Sequence, residues 1–95
     1  MAKGYVIARA KVTNATQWAL YAAESSKCMA QYGGKPIIRG GQCSIAEGEG
    51  RSRNVVIEFE SYEQAKKYAY STEYAVARKV REGAGEIDII VVEGA

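Results

Sequence analysis

The sequence contains no histidine. That excludes imidazole acid–base catalysis, histidine-based nucleophile triads, and zinc or haem held through an imidazole. Cysteine is scarce: Cys28 and Cys43 form no CxxC pair, and two thiols without histidine make a poor metal site. The expectation is two reduced, buried, structural thiols, with one disulfide between them as the alternative. No metal and no other cofactor is expected. No apolar run approaches the ~18–20 residues of a membrane span. Neither charge sign dominates, with Lys+Arg 13 against Asp+Glu 11 and a net charge of +2. So small an excess implies no polyanion partner. Met1-Ala2-Lys3-Gly4 leads into a strand-like segment with no signal-peptide pattern, and a cytoplasmic protein is the expectation.

What remains is ordinary globular composition. The chain has 95 residues, 47% hydrophobic and 25% charged, which argues against disorder and for one domain over residues 1–95. A chain of this size buries only roughly 60–65% of the surface it exposes when unfolded. It holds one modest core.

Hydrophobic periodicity divides the chain cleanly. Tyr5 to Val12 alternates and is rich in β-branched residues, so it reads as a strand. Asn14 is placed to cap a helix over residues 15–32, with Gln17 as a capping-box partner. Trp18, Tyr21, Ala22, Ser25, Cys28, Met29 and Tyr32 share one stripe of that helix. Gly33-Gly34 ends it. A second strand is expected from Lys35 to Glu47, interrupted by Gly40-Gly41, where a bulge or a close backbone approach is expected. A polar loop over residues 47–53 leads to a third strand from Asn54 to Glu60. Ser61 caps a helix to about Tyr70, with Gln64 at the capping-box position, and a second helical piece spans residues 72–82. Glu86 to Glu93 is the fourth strand.

The order β-α-β-β-α-β, with a broken second helix, defines a ferredoxin-like α+β fold. It has a four-stranded antiparallel sheet of order 4-1-3-2 with the helices on one face. Val6, Ala8, Ala10 and Val12, with Val55, Ile57 and Phe59, suit the helix-covered face. The other face then carries Tyr5, Ile7, Arg9, Val56, Glu58, Asp88, Ile90 and Val92. It is too apolar to stand bare in water, and a homodimer packing sheet on sheet covers it.

Several segments carry a family likeness. They are Gly4-Tyr5-Val6-Ile7-Ala8, Tyr32-Gly33-Gly34-Lys35, Arg39-Gly40-Gly41, Val56-Ile57-Glu58-Phe59, Glu73-Tyr74 and Ile90-Val91-Val92-Glu93-Gly94. In this order, and in register with the expected elements, they resemble the domain-of-unknown-function family 1330, of the dimeric α+β barrel superfamily. The resemblance covers essentially the whole chain. It implies a ferredoxin-like dimer and brings no established reaction. Ser71-Thr72-Glu73-Tyr74 departs from it, since the family often has proline at the second position.

Candidate site residues follow from chemistry. Arg39 beside Gly40 and Gly41 places a guanidinium next to an open backbone notch, able to fork onto a carboxylate, or else it forms a structural ion pair. Glu58 interrupts an apolar strand, as a general base or as the partner of Arg9 or Arg39. Tyr21, Tyr32 and Tyr74 can line a pocket between helices and sheet and orient a ligand through their hydroxyls. Arg81 can hold an anion, though a cation near a helix C-terminus is favourable in its own right. Arg39 and Glu58 are expected to meet each other or one shared pocket.

RNA binding is set aside, because the third strand lacks the stacking aromatics of an RNA-recognition motif and carries an acid instead. Gly48-Glu49-Gly50 lacks the following Lys-Ser/Thr of a phosphate loop. Two readings stay open. One is a homodimer that binds a small acidic or phenolic metabolite. The other is a cofactor-independent enzyme of isomerase, dehydratase or oxygenase type, with Glu58 or a tyrosine as acid/base and Arg39 stabilising an anion.

Overall fold

A computed structural model describes residues 2–95; Met1 lies outside the described residues. The elements are β1 (Gly4–Val12), α1 (Ala15–Gln31), β2 (Lys35–Arg39), β3 (Arg53–Phe59), α2 (Tyr62–Ala69), α3 (Thr72–Lys79) and β4 (Gly85–Glu93). The strands form one antiparallel sheet of order β2-β3-β1-β4, the expected order read from the other edge. This is the ferredoxin-like α+β arrangement.

Short polar side chains set the helix starts. Asn14 accepts from the Gln17 amide at 3.0 Å, and Ser61 from the Gln64 amide at 3.1 Å. Neither glutamine closes a capping box. The Gln17 side chain donates to the Val80 and Glu82 carbonyls, and that of Gln64 to the Tyr32 carbonyl. Ser71 separates α2 from α3. Its hydroxyl donates to the Tyr68 carbonyl at 2.8 Å and accepts from the Tyr74 amide at 3.0 Å, ending one helix and capping the next.

The pleat alternates as expected. Val6, Ala10, Ile57 and Phe59 are buried beneath the helices, with Trp18, Met29, Tyr68 and Tyr74 above them. The opposite face carries a row of residues in register, Ile38–Val56–Ile7–Ile90. Ile38 is 50% and Ile90 55% exposed on the two edge strands, and Val56 and Ile7 between them are partly exposed, so an apolar row faces solvent across the whole sheet.

The second strand departs from expectation. It stops at Arg39 instead of running to Glu47, because Gly40 takes a left-handed φ of 68° and the chain leaves the sheet after the Gly40 amide bonds the Asn54 carbonyl. The bulge lies between Pro36 and Ile38, upstream of the glycines. Lys35 pairs with Glu58 and Pro36 with Ile57, but Ile38 pairs with Val56 and Arg39 with Val55. Ile37 is the extra residue. A one-residue slip moves every later side chain to the other face of the sheet. The bulge therefore turns Arg39 toward the helices.

The helices sit unequally on the sheet. α2 packs on β1, β3 and β4, whereas α1 is held mainly against α3. Beneath α1 the sheet presents short side chains, Ala8, Ala10 and Val55, and a space is left there. Of the two thiols, Cys28 is buried and Cys43 is exposed in the loop after β2; both are free.

Candidate functional site

The space between α1 and the sheet has an inner and an outer part. The inner cavity is about 50 Å³, with walls from Val6, Ala8, Ala10, Val55 and Ile57 below and Trp18, Tyr21 and Met29 above. One water needs roughly 10–15 Å³ on this measure, so about three to five waters or a small apolar group fit. The outer groove is about 600 Å³ and runs between the Ala15, Trp18, Ala19 and Ala22 side of α1 and the sheet end at Val12 and Arg53. That lies in the ~300–1,000 Å³ range of small-molecule clefts. Trp18, Ala22, Arg39 and Arg53 belong to both parts.

The two arginines mark the mouth. Arg39 Nη2 donates to Ser26 Oγ at 2.7 Å, and that hydroxyl donates to the Ala22 carbonyl at 2.7 Å. The serine thus steadies the guanidinium against α1. Arg53 sits beneath Gly40, where a β-carbon would come within 2.6 Å of its Nη1. A side chain at position 40 would displace that guanidinium. Among the described residues, neither arginine is in an ion pair; the bridges present are Lys27–Glu24, Arg51–Glu86 and Arg51–Asp88. Two cations without carboxylates, at the mouth of an apolar cleft, form an anion-binding arrangement.

At the inner end the Tyr21 and Tyr74 hydroxyls are buried and 2.7 Å apart. Burial pushes the Tyr21 phenol far above its ordinary value, the neighbouring Tyr74 hydroxyl adds to this, and Arg81 only partly offsets it. A phenol so held stays protonated, so it is a hydrogen-bond donor and not a base. Tyr68, also lining the cavity, is raised in the same way, chiefly by burial.

The remaining candidates lie elsewhere. Glu58 is on the open sheet face, where it accepts from the Tyr5 hydroxyl at 3.1 Å. Its partner is a tyrosine and not Arg9 or Arg39. Arg39 and Glu58 are on opposite faces, so the structure does not bring them to one pocket, and a Glu58 base cannot act on a ligand in the cleft. Asp88 pairs with Arg51 at 3.3 Å. Arg81 stands behind the aromatic wall, its guanidinium carbon 5.1 Å from the centre of the Tyr21 ring and 5.9 Å from that of Trp18. It is not part of the cavity lining, and its Nε is buried without a hydrogen-bond partner. Tyr32 faces away and donates to Glu73 at 3.1 Å. Gly40 acts through Arg53, and Gly41 faces open space.

Arg53, Ser25 and Ser26 join the site although their residue types carry no motif. Arg53 was within reach of the sequence. It lies two residues before Val55 and four before Ile57, on the parity of the buried face.

Comparison with known proteins supports this fold. The family model "Domain of unknown function (DUF1330)" matches residues 3–95. No curated protein matches the chain. A protein of unknown function from Rhodopseudomonas palustris is 17% identical, with a TM-score of 0.78 over 99% of this chain and 83% of that one. A dimeric ferredoxin-like protein of unknown function from Thermobifida fusca is 14% identical, with a TM-score of 0.63 over 99% of this chain and 91% of that one. A dimeric protein of unknown function and ferredoxin-like fold from Bacteroides fragilis is 16% identical, with a TM-score of 0.57 over 96% and 95%. At these identities the likeness shows the fold alone.

Proposed function

We propose that this chain, which belongs to the DUF1330 family, binds a small acidic metabolite in the cleft between α1 and the sheet. It does so as a cytoplasmic, single-domain homodimer whose copies meet through the open sheet face. The observation that carries the binding reading is the pair Arg39 and Arg53, unpaired at the mouth of an apolar cleft. A ligand carboxylate would accept from the guanidinium N–H groups that have no partner among the described residues, Arg39 giving one bond to Ser26. Its apolar body would replace water against Trp18 and the alanines of α1. Self-association draws support from the dimeric relatives of the same fold and from the exposed Ile38–Val56–Ile7–Ile90 row.

Calorimetric titration with benzoate, phenylacetate and 3-phenylpropionate tests the cleft. Each charged hydrogen bond is worth ~1.5–3 kcal/mol. Arg39→Ala and Arg53→Ala should each weaken binding on the order of ten- to a hundredfold. Arg39 is exposed and holds one hydroxyl, so Arg39→Ala should barely move the melting temperature. Failure of all three acids to bind, or binding indifferent to both substitutions, overturns the reading.

A further inference from the structure

The Tyr21–Tyr74 pair has a hydrogen to spare. Two hydroxyls carry two protons, and the single 2.7 Å contact between them uses one. Whichever oxygen accepts in that contact still has its own O–H to give. No acceptor for it exists among the hydrogen bonds of the described residues. Ser25 in the lining gives its own hydroxyl proton to the Ala22 carbonyl at 3.2 Å and takes no hydrogen bond from the pair. Tyr68 also lines the cavity but its hydroxyl makes no hydrogen bond to the pair, and the other inner walls are aliphatic or aromatic. A buried donor is rarely left unmatched in a native protein, so its acceptor has to come from whatever occupies the cavity.

The two ends of the cleft thus ask for different chemistry. The mouth offers two permanent cations and the inner end only neutral phenol donors, with apolar wall between. Resting on the cleft reading above, we propose that the ligand is a monocarboxylate whose apolar body ends in an acceptor oxygen (carbonyl, ether or phenolic), which takes the spare hydroxyl proton of the Tyr21–Tyr74 pair while the carboxylate stays on Arg39 and Arg53. A dicarboxylate fits poorly, because the inner end has no cation and would have to desolvate a second anion. A plain hydrocarbon acid leaves the spare hydroxyl unmatched. Sites that hydrogen-bond a substrate oxygen discriminate strongly against the analogue lacking it.

Three matched pairs of acids test this across a range of lengths. They are benzoate with 4-hydroxybenzoate, phenylacetate with 4-hydroxyphenylacetate, and 3-phenylpropionate with 3-(4-hydroxyphenyl)propionate. In at least one pair the hydroxylated acid should bind tenfold or more tightly than its parent. The double variant Tyr21→Phe/Tyr74→Phe, which removes both hydroxyl protons, should erase that advantage, whereas either single variant still leaves one O–H to give. Far-UV circular dichroism checks the fold of the double variant; should it not fold, the matched pairs on the native protein decide alone. If parent acids bind and a distal oxygen adds nothing in any pair, the inference is overturned and the cleft reading survives: water then occupies the inner end. If no acid binds, the cleft reading itself falls and this inference with it.

Discussion

The side chain of Gln17, in the first turn of α1, donates to the Val80 carbonyl oxygen at the end of α3, at 2.8 Å. The same amide nitrogen reaches the Glu82 carbonyl at 2.8 Å, and Gln64 at the start of α2 mirrors it on the Tyr32 carbonyl at 2.9 Å. Each β-α unit therefore ties the start of its helix to the frayed end of the other unit's helical segment, where carbonyls lack intrahelical partners. This cross-bracing helps to hold α1 over the sheet, which it meets through long side chains such as Trp18 and Met29.

Gln17→Ala should cost about 1–2 kcal/mol, since two partly exposed hydrogen bonds are lost at roughly 0.5–1.5 kcal/mol each. The Asn14 cap uses the backbone of residue 17 and should survive. Gln17→Glu should cost more at neutral pH, because a carboxylate would then face two carbonyls at the negative end of α3, and part of that loss should return on acidification. Urea unfolding of the three proteins at two pH values checks this. Equal stability of wild type and Gln17→Ala would mean that water serves those carbonyls as well as Gln17 does.

The fold was legible because its signals are local and periodic. Alternation along Tyr5–Val12 and the stripe from Trp18 to Met29 assign faces without knowledge of the partner strand. The site was harder, because one bulged residue decides it. With regular pairing onward from Lys35 and Glu58, Arg39 would oppose Asn54 and share the face of Glu58. The extra residue Ile37 makes Arg39 oppose Val55 instead, on the helix side. Nothing in Lys-Pro-Ile-Ile-Arg marks that slip, whereas Gly40-Gly41 drew attention to the wrong place. Gly40 ends the strand and makes room for Arg53. The meeting of Tyr21 and Tyr74 depends on how α1 leans on α3, which no short-range pattern encodes.

Alkaline pH should unfold the protein through its buried phenols. Burial raises Tyr21 and Tyr68 well above the ordinary value of about 10. A phenol whose folded value is raised favours the native state fully below the unfolded value. That contribution fades as pH climbs through ~10 toward the folded value. Tyrosinate absorbance followed with far-UV circular dichroism should show part of the signal from the seven tyrosines arriving only together with unfolding. Tyr68→Phe should move the alkaline transition to higher pH. Complete tyrosine ionisation with the dichroism unchanged would show that these rings are wet.

The open sheet face makes the last prediction, and exposure decides the choice of residue. Ile90 stands on that face, in register with Ile7 and through it with Val56 and Ile38. At 55% exposed it contributes little to the core of one chain. Ile90→Lys should change the stability of a lone chain within about 0.5 kcal/mol. In a sheet-on-sheet dimer the same ammonium would be taken out of water opposite apolar side chains, at a cost of several kcal/mol. Light scattering at micromolar concentration should give about twice the 10.3 kDa chain mass for the native protein and the single mass for Ile90→Lys. Ile45→Lys is the control: Ile45 is similarly exposed but lies in the loop after β2, outside the paired strands, and its substitution should leave the dimer intact. A native protein that scatters as one chain at every concentration would refute the dimer. A dimer that survives Ile90→Lys would move the interface off this face, to the sheet edges at β2 or β4, where unpaired backbone groups offer the other route to self-association.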